Sequence, residues 1–163
     1  MQNTQSNKKA NVTSMFDNIA HSYDFLNHFL SFGTDRLWRK KAIKIISGSF
    51  KNPGILDVAA GTADLSIAAI KIDPEHITGI DISAGMLEIG REKIKRKHLD
   101  EKIYLILGDS EKLPFANDHF DVAMVAFGIR NFADPLKGLS EMTRVIRKGG
   151  MVLVLEFSKP VKP

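Results

Sequence analysis

The sequence predicts an α/β domain built on a mainly parallel, doubly wound sheet. Two observations predict it. Beyond Pro53, short apolar runs alternate with longer amphipathic segments, the pattern of parallel strands joined by crossover helices. The first apolar run, Ile55-Leu56-Asp57-Val58, leads into a turn of small residues, Ala59-Ala60-Gly61-Thr62. Small residues there let a ligand approach the backbone.

Residues 1–11 are polar and read as a disordered tail. From Val12 to Phe32, apolar residues fall at Met15, Phe16, Ile19, Tyr23, Leu26, Phe29 and Leu30, which is helical spacing. Ser31, Gly33 and Thr34 interrupt that pattern. A second helix is expected from Asp35 to Ser47, with Leu37, Trp38, Ala42, Ile45 and Ile46 on one side. Together these helices form a lead, or lid, over residues 12–50. Lys51-Asn52-Pro53-Gly54 then breaks the chain before the main domain of residues 51–163.

That domain is expected to run strand 55–58, helix 63–71, strand 77–81, helix 83–97, strand 103–107, a loop holding Leu113-Pro114-Phe115, strand 122–127 and helix 135–146. Lys148-Gly149-Gly150 reads as the stop of the last helix. Strand 151–157 follows it. The basic run Arg91 to Lys97 closes the helix after the second strand, where cations suit the helix dipole.

Composition narrows the classes. The 163 residues suit one domain, and 44% hydrophobic with 26% charged residues is ordinary for a soluble globular chain. A net charge of +4 does not by itself argue for nucleic acid. There are no cysteines, which excludes disulfides and thiolate metal sites. Histidines 21, 28, 76, 98 and 119 show no ligand spacing, so no metal is expected. The longest uncharged apolar stretch, Val122 to Ile129, falls well short of the roughly 20 residues a bilayer requires. No secretory signal is visible, and a cytoplasmic location is expected.

Three strand ends carry the chemistry. Asp57 suits a cationic ligand group, and the helix start that follows it offers free N–H groups to a carboxylate. Asp81 ends the next strand, 24 residues after Asp57. That is near the spacing of roughly 20 for a ribose-binding acid. Its alternative role, capping the following helix, is one Ser83 already serves. Asp109, in Gly108-Asp109-Ser110, is placed to accept an adenine amino group, with the next N–H directed to a ring nitrogen. All three lie at the edge where open α/β sheets bind ligands. A nicotinamide dinucleotide site is the competing reading. Its G-x-G-x-x-G would fall on Ala59, Gly61 and Asp64, and the acid at the last position opposes a pyrophosphate. A purely structural turn is the other alternative for residues 57–64.

These segments, with Met86-Leu87 and Leu113-Pro114-Phe115, resemble a class I S-adenosylmethionine-dependent methyltransferase with its Rossmann-like sheet. A closer resemblance lies in Phe16-Asp17-Asn18-Ile19-Ala20, Tyr23-Asp24, Asn27 and Trp38-Arg39. Phe127-Gly128-Ile129-Arg130-Asn131-Phe132 and Leu155-Glu156-Phe157-Ser158-Lys159-Pro160 extend it. Together they are similar to the quinone-biosynthesis C-methyltransferases, which act on demethylmenaquinone or polyprenyl-methoxybenzoquinol. The resemblance covers nearly the whole chain from Val12 onward. Ala60 and Ala63 stand where that family usually has glycine, while Thr62 and Asp64 are retained.

The resemblance implies S-adenosylmethionine as methyl donor and a polyprenylated quinol as acceptor, met at the inner membrane face. Demethylmenaquinol is expected first, and the residues do not separate it from a ubiquinone precursor. Asp57, Ala59, Gly61, Thr62, Asp81, Ile82, Met86, Asp109, Ser110 and Phe127 are the expected donor-binding residues. Arg130, Tyr23 and Asp24 are the catalytic candidates, with His21 a weaker one. Phe16, Tyr23, Phe25, Phe29 and Trp38 are candidates for the wall of an apolar groove, with plain core packing as the alternative. A nucleic-acid methyltransferase would carry Asn/Asp-Pro-Pro-aromatic after the fourth strand, where Gly128-Ile129-Arg130-Asn131 stands, so no nucleic acid is expected. Another small-molecule methyltransferase, or a cofactor-binding domain without activity, stays open. The family continues past the fifth strand, so the sequence reads as truncated, its last strands missing. Strand 151–157 would then be a sheet edge prone to self-association.

Overall fold

The computed structural model describes residues 2–30 and 34–157, with side chains described for 5–23 and 34–157. Two helices lead, α1 (Gln2–Leu30) and α2 (Thr34–Ser49). Strands and helices then alternate as β1 (Gly54–Val58), α3 (Asp64–Ala69), β2 (His76–Asp81), α4 (Ala84–Arg96), β3 (Ile103–Leu107), β4 (Phe120–Ala126), α5 (Pro135–Arg144) and β5 (Ile146–Leu155). Short 3-10 turns at Ile70–Ile72 and Ile129–Asn131 complete the set. The five strands lie in the order β3-β2-β1-β4-β5. Every pairing is parallel.

β1 sits at the centre because every one of its residues is buried. A strand covered on both faces needs an unbroken apolar run rather than an alternating one. Ile55 packs with Ile43, Ile46, Leu65, Ile77 and Met124 on one face. Leu56 and Val58 pack with Val125, Phe132, Met142 and Val145 on the other. Each such side chain contributes about 1.5–3 kcal/mol of burial. The order reverses between β1 and β4, so the carboxyl ends of β1, β2 and β4 surround the crevice where such sheets hold ligands.

Four expectations need correction. Residues 2–11, expected as a disordered tail, continue α1. They lack an apolar period, but they also lack glycine and proline, and the contacts of Lys8 and Lys9 described below dock them.

The inner face of α2 is Asp35, Arg39, Ala42, Ile43 and Ile46. Leu37, Trp38 and Ile45 are exposed instead. The helix turns charged residues inward because Arg39 Nη2 donates to Asp35 Oδ2 at 2.7 Å and Nη1 to Asp64 Oδ2 at 3.1 Å.

The helix expected over 63–71 is a shorter α3 followed by a 3-10 turn. Finally, Lys148-Gly149-Gly150 does not stop α5, which ends at Arg144. These residues lie inside β5, where pairing jumps from Phe120↔Ile146 to Val122↔Met151. Gly149 takes φ +80 there, and a Cβ at Gly150 would meet Asp121 O at 2.5 Å. The glycines permit a bulge rather than end a helix.

Candidate functional site

The crevice opens onto a cavity whose lining includes Ala59, Gly61, Asp81, Ile82, Met86, Asp109, Ser110 and Phe127. Eight of the ten expected donor-binding residues therefore share one space. Asp57 and Thr62 line an adjoining chamber that shares Tyr23, Ala59, Gly61, Ala126 and Phe127 with the first.

The local backbone explains the placement. Ala59, Gly61 and Ala63 take φ of 55, 55 and 67. Alanine in that region costs about 1–2 kcal/mol, so the turn between β1 and α3 holds its shape against local preference. A Cβ on Gly61 would sit 3.3 Å from Met86 Cε. Phe127, one residue past β4, also has a positive φ, 57, and with Ala59 it lines the cavity. Strain of this kind gathers at functional sites.

Asp81 is anchored by the backbone. Gly61 N–H donates to Oδ2 at 2.8 Å and Ser83 N–H to Oδ1 at 2.9 Å. Burial raises its pKa, opposed by those N–H groups. Each carboxylate oxygen keeps a lone pair for a further donor. Ser83 caps α4 by accepting from Met86 N–H, as expected. Asp57 is the more deeply buried acid, and it accepts from Ser66 Oγ at 2.6 Å. Burial pushes its carboxyl up from 3.8 to about 7. An ammonium beside it would restore the ionised form. Asp64, the acid that argued against a dinucleotide, is held by Arg39 and by Lys93 Nζ at 2.8 Å. Lys93 also donates to Thr62 Oγ1.

Several lining residues were not foreseen. Lys9 and Val12 reach the cavity from the first turns of α1, and Glu111 from the loop after β3. Lys9 Nζ bridges Asp109 Oδ2 at 2.7 Å and the buried Glu111 Oε2 at 2.8 Å. Lys8 Nζ donates to Phe132 O. Further along α1, Asp17 accepts from Ser83 Oγ and Gly85 N–H. α1 thus straps the cavity from one side to the other. Nothing local in the sequence marks Lys9. Glu111 had one signal, its place two residues after Asp109.

Of the catalytic candidates, Tyr23 lines both chambers, its ring edge-on to Phe16 at 5.8 Å. The Asp24 side chain lies outside the described residues, as do those of Phe25 and Phe29 and all of residues 158–160. Arg130 does not line the cavity. Its half-exposed guanidinium stands 3.5 Å from Glu156 Oε1 and over the Phe157 ring, while Gly128 and Asn131 face the space. Trp38 is exposed beneath Lys41 and is no part of the wall.

The profile of the ubiE/COQ5 methyltransferase family matches residues 1–163. The chain belongs to that family. A demethylmenaquinone methyltransferase of Bacteroides fragilis is 51% identical over 94% of this chain and 62% of its own length. One of Porphyromonas gingivalis is 44% identical over 97% and 65%. The ubiquinone/menaquinone biosynthesis C-methyltransferase UbiE of Geotalea daltonii is 48% identical over 94% and 66%. The chain thus spans somewhat under two thirds of the length of these curated relatives.

Solved structures agree on the fold. A SAM-dependent methyltransferase from Aquifex aeolicus superposes with a TM-score of 0.65 at 20% identity, covering 76% of this chain and 68% of that one. The [4+2]-cyclase SpnF gives 0.69 at 23% identity, covering 76% and 45%. The family therefore stands on a Rossmann-like scaffold that also carries a cyclase, and the fold alone does not name the reaction. No helix among the described residues is long and apolar enough to cross a membrane.

Proposed function

We propose that this chain binds S-adenosylmethionine and belongs to an enzyme that methylates a ring carbon of a polyprenylated quinol, demethylmenaquinol in the first instance. The observation that carries the reading is the meeting of Gly61, Asp81, Asp109 and Phe127 around one cavity in a chain half identical to a demethylmenaquinone methyltransferase.

The residues fit the donor. Asp81 keeps acceptor capacity for a ribose diol, and Asp109 stands one strand away for an adenine amino group. The buried Asp57 gains from an ammonium. Met86, Ile82 and Phe127 supply apolar walls. The bound donor would supply an electrophilic methyl group on a sulfonium. The protein's part is then to align the acceptor carbon and keep water out. Phe16, Tyr23 and Val12 on α1 cover the space, which supports an apolar acceptor bound beneath that helix. A cytoplasmic protein working at the inner membrane face suits such a substrate. Lys9 between Asp109 and Glu111 makes the mouth a net acidic ion cluster rather than a basic patch, which favours a small molecule over nucleic acid.

The test is calorimetric titration of the 163-residue chain with S-adenosylmethionine and S-adenosylhomocysteine. Both should bind the native chain, and Asp81→Ala should abolish binding. A folded native chain that binds neither would overturn the reading.

A further inference from the structure

The outer face of α2 takes no part in the donor site, and its composition is that of neither a core nor a plain solvated surface. Leu37, Trp38 and Ile45 are 68%, 46% and 50% exposed. Beside them stand Arg36, Lys40, Lys41 and Lys44, all exposed. Arg36, Lys40 and Lys44 form one row along the helix and Leu37, Lys41 and Ile45 the next, since every fourth residue shares a face. Lys41 Nζ lies over the Trp38 ring, 5.2 Å from its centroid. The one acid of the helix, Asp35, is buried and turned inward on Arg39. Four cations and three large apolar side chains thus share a surface to which their own helix adds no anion.

Apolar residues scattered singly on a surface are ordinary. Three on one helical face flanked by lysine and arginine are the pattern of a helix that lies in a membrane interface. Further protein laid over this face would bury four charges, which is costly unless each finds a partner. An anionic lipid surface pairs those charges with its headgroups and receives the apolar side chains below them. Tryptophan favours that boundary. The location also fits. Arg39, on the inner side of the same turn, lines the second chamber. A lipid surface against Leu37 and Trp38 is therefore about 10 Å from it, one helix diameter.

We propose that the outer face of α2 docks this chain on an anionic lipid surface. Leu37, Trp38 and Ile45 enter the acyl boundary, and Arg36, Lys40, Lys41 and Lys44 meet the headgroups. The choice of a lipid over an acidic protein rests on the proposed function above, because a polyprenylated substrate resides in a bilayer.

The test uses the single tryptophan of the chain, Trp38, as its own reporter. Vesicles of mixed phosphatidylcholine and phosphatidylglycerol should move its emission to the blue, and added salt should reverse the shift. Vesicles of phosphatidylcholine alone should leave it unchanged. Lys40→Gln combined with Lys44→Gln should weaken binding to the anionic vesicles at least about tenfold, the share of two cations in that attraction. Binding of S-adenosylhomocysteine by this variant should not change, which shows that it is folded. No shift, or an equal shift with phosphatidylcholine alone or with polyglutamate, overturns the docking face. So does a shift that grows with protein concentration in the absence of vesicles, because a second copy is then the occupant. A native chain that ignores vesicles yet binds S-adenosylhomocysteine overturns the docking face alone. One that binds the anionic vesicles but neither S-adenosylhomocysteine nor S-adenosylmethionine overturns the proposed function alone.

Discussion

Asp57→Asn gives a sharp test of the electrostatics at the centre of the sheet. Asp57 is 1% exposed, and burial raises its carboxyl from 3.8 to about 7. The folded chain thus holds this proton more tightly than the unfolded chain. Below about pH 4 both states are protonated and the residue is neutral to stability. As pH rises, the unfolded chain ionises first, and stability falls until the folded carboxyl ionises near pH 7. A shift of about three units at 1.36 kcal/mol each makes the loss roughly 4 kcal/mol above that pH. Asparagine keeps the shape and an oxygen for the Ser66 hydroxyl but cannot ionise.

Urea unfolding of both proteins across about pH 4 to 8 would report the difference. Taking the difference cancels titrating groups that do not couple to Asp57; Asp81, whose charge helps raise the Asp57 carboxyl, is coupled and shifts with it. The asparagine variant should match the native chain at the acid end and exceed it by up to about 4 kcal/mol at the alkaline end. A difference that does not vary with pH, or a variant less stable at pH 8, would refute the argument. The gain should come with weaker binding of S-adenosylmethionine, because the ammonium loses its counter-charge.

Two further outcomes are expected. Lys9→Met removes a cation from Glu111, which is 3% exposed and among the described residues then keeps Asp134 N–H as its partner. Stability should fall by about 1–3 kcal/mol, and Glu111→Gln in the same chain should restore part of it. A double-mutant cycle without measurable coupling would dismiss the pairing. β5 is an edge of the sheet with Val154 44% exposed, so light scattering should show association that grows with concentration and is relieved by Val154→Lys. A native chain that stays monomeric at every concentration would reject that.

The sequence announced what depends on local pattern. The apolar run Ile55–Val58, short and followed by small residues, read as a strand, and Asp81 and Asp109 were findable because one ends its strand and the other lies two residues past its own. Trp38 and Leu37 are apolar yet exposed, so hydrophobicity alone does not mark the inner face of α2. The inner face of α2 is instead fixed by the Asp35–Arg39 pair reaching Asp64, a tertiary arrangement with no local period. Gly149 and Gly150 misled for a related reason. A glycine pair looks the same whether it stops a helix or lets two strands slip, and only the partner Asp121 distinguishes them. Lys9 was invisible because its value lies in two acids about a hundred residues away.

That separation has a consequence in time. Lys8 and Lys9 meet partners 124 and 100 residues later in the chain. Ribosomes add roughly 5–20 residues per second, so α1 emerges on the order of ten seconds before Phe132 exists to receive it. During that interval its inner face, Val12, Phe16 and Tyr23, has no cavity to cover. Closing so long a loop is entropically late as well. The strap is therefore fastened late, and the nascent chain carries an open crevice until the loop after its fourth strand is made.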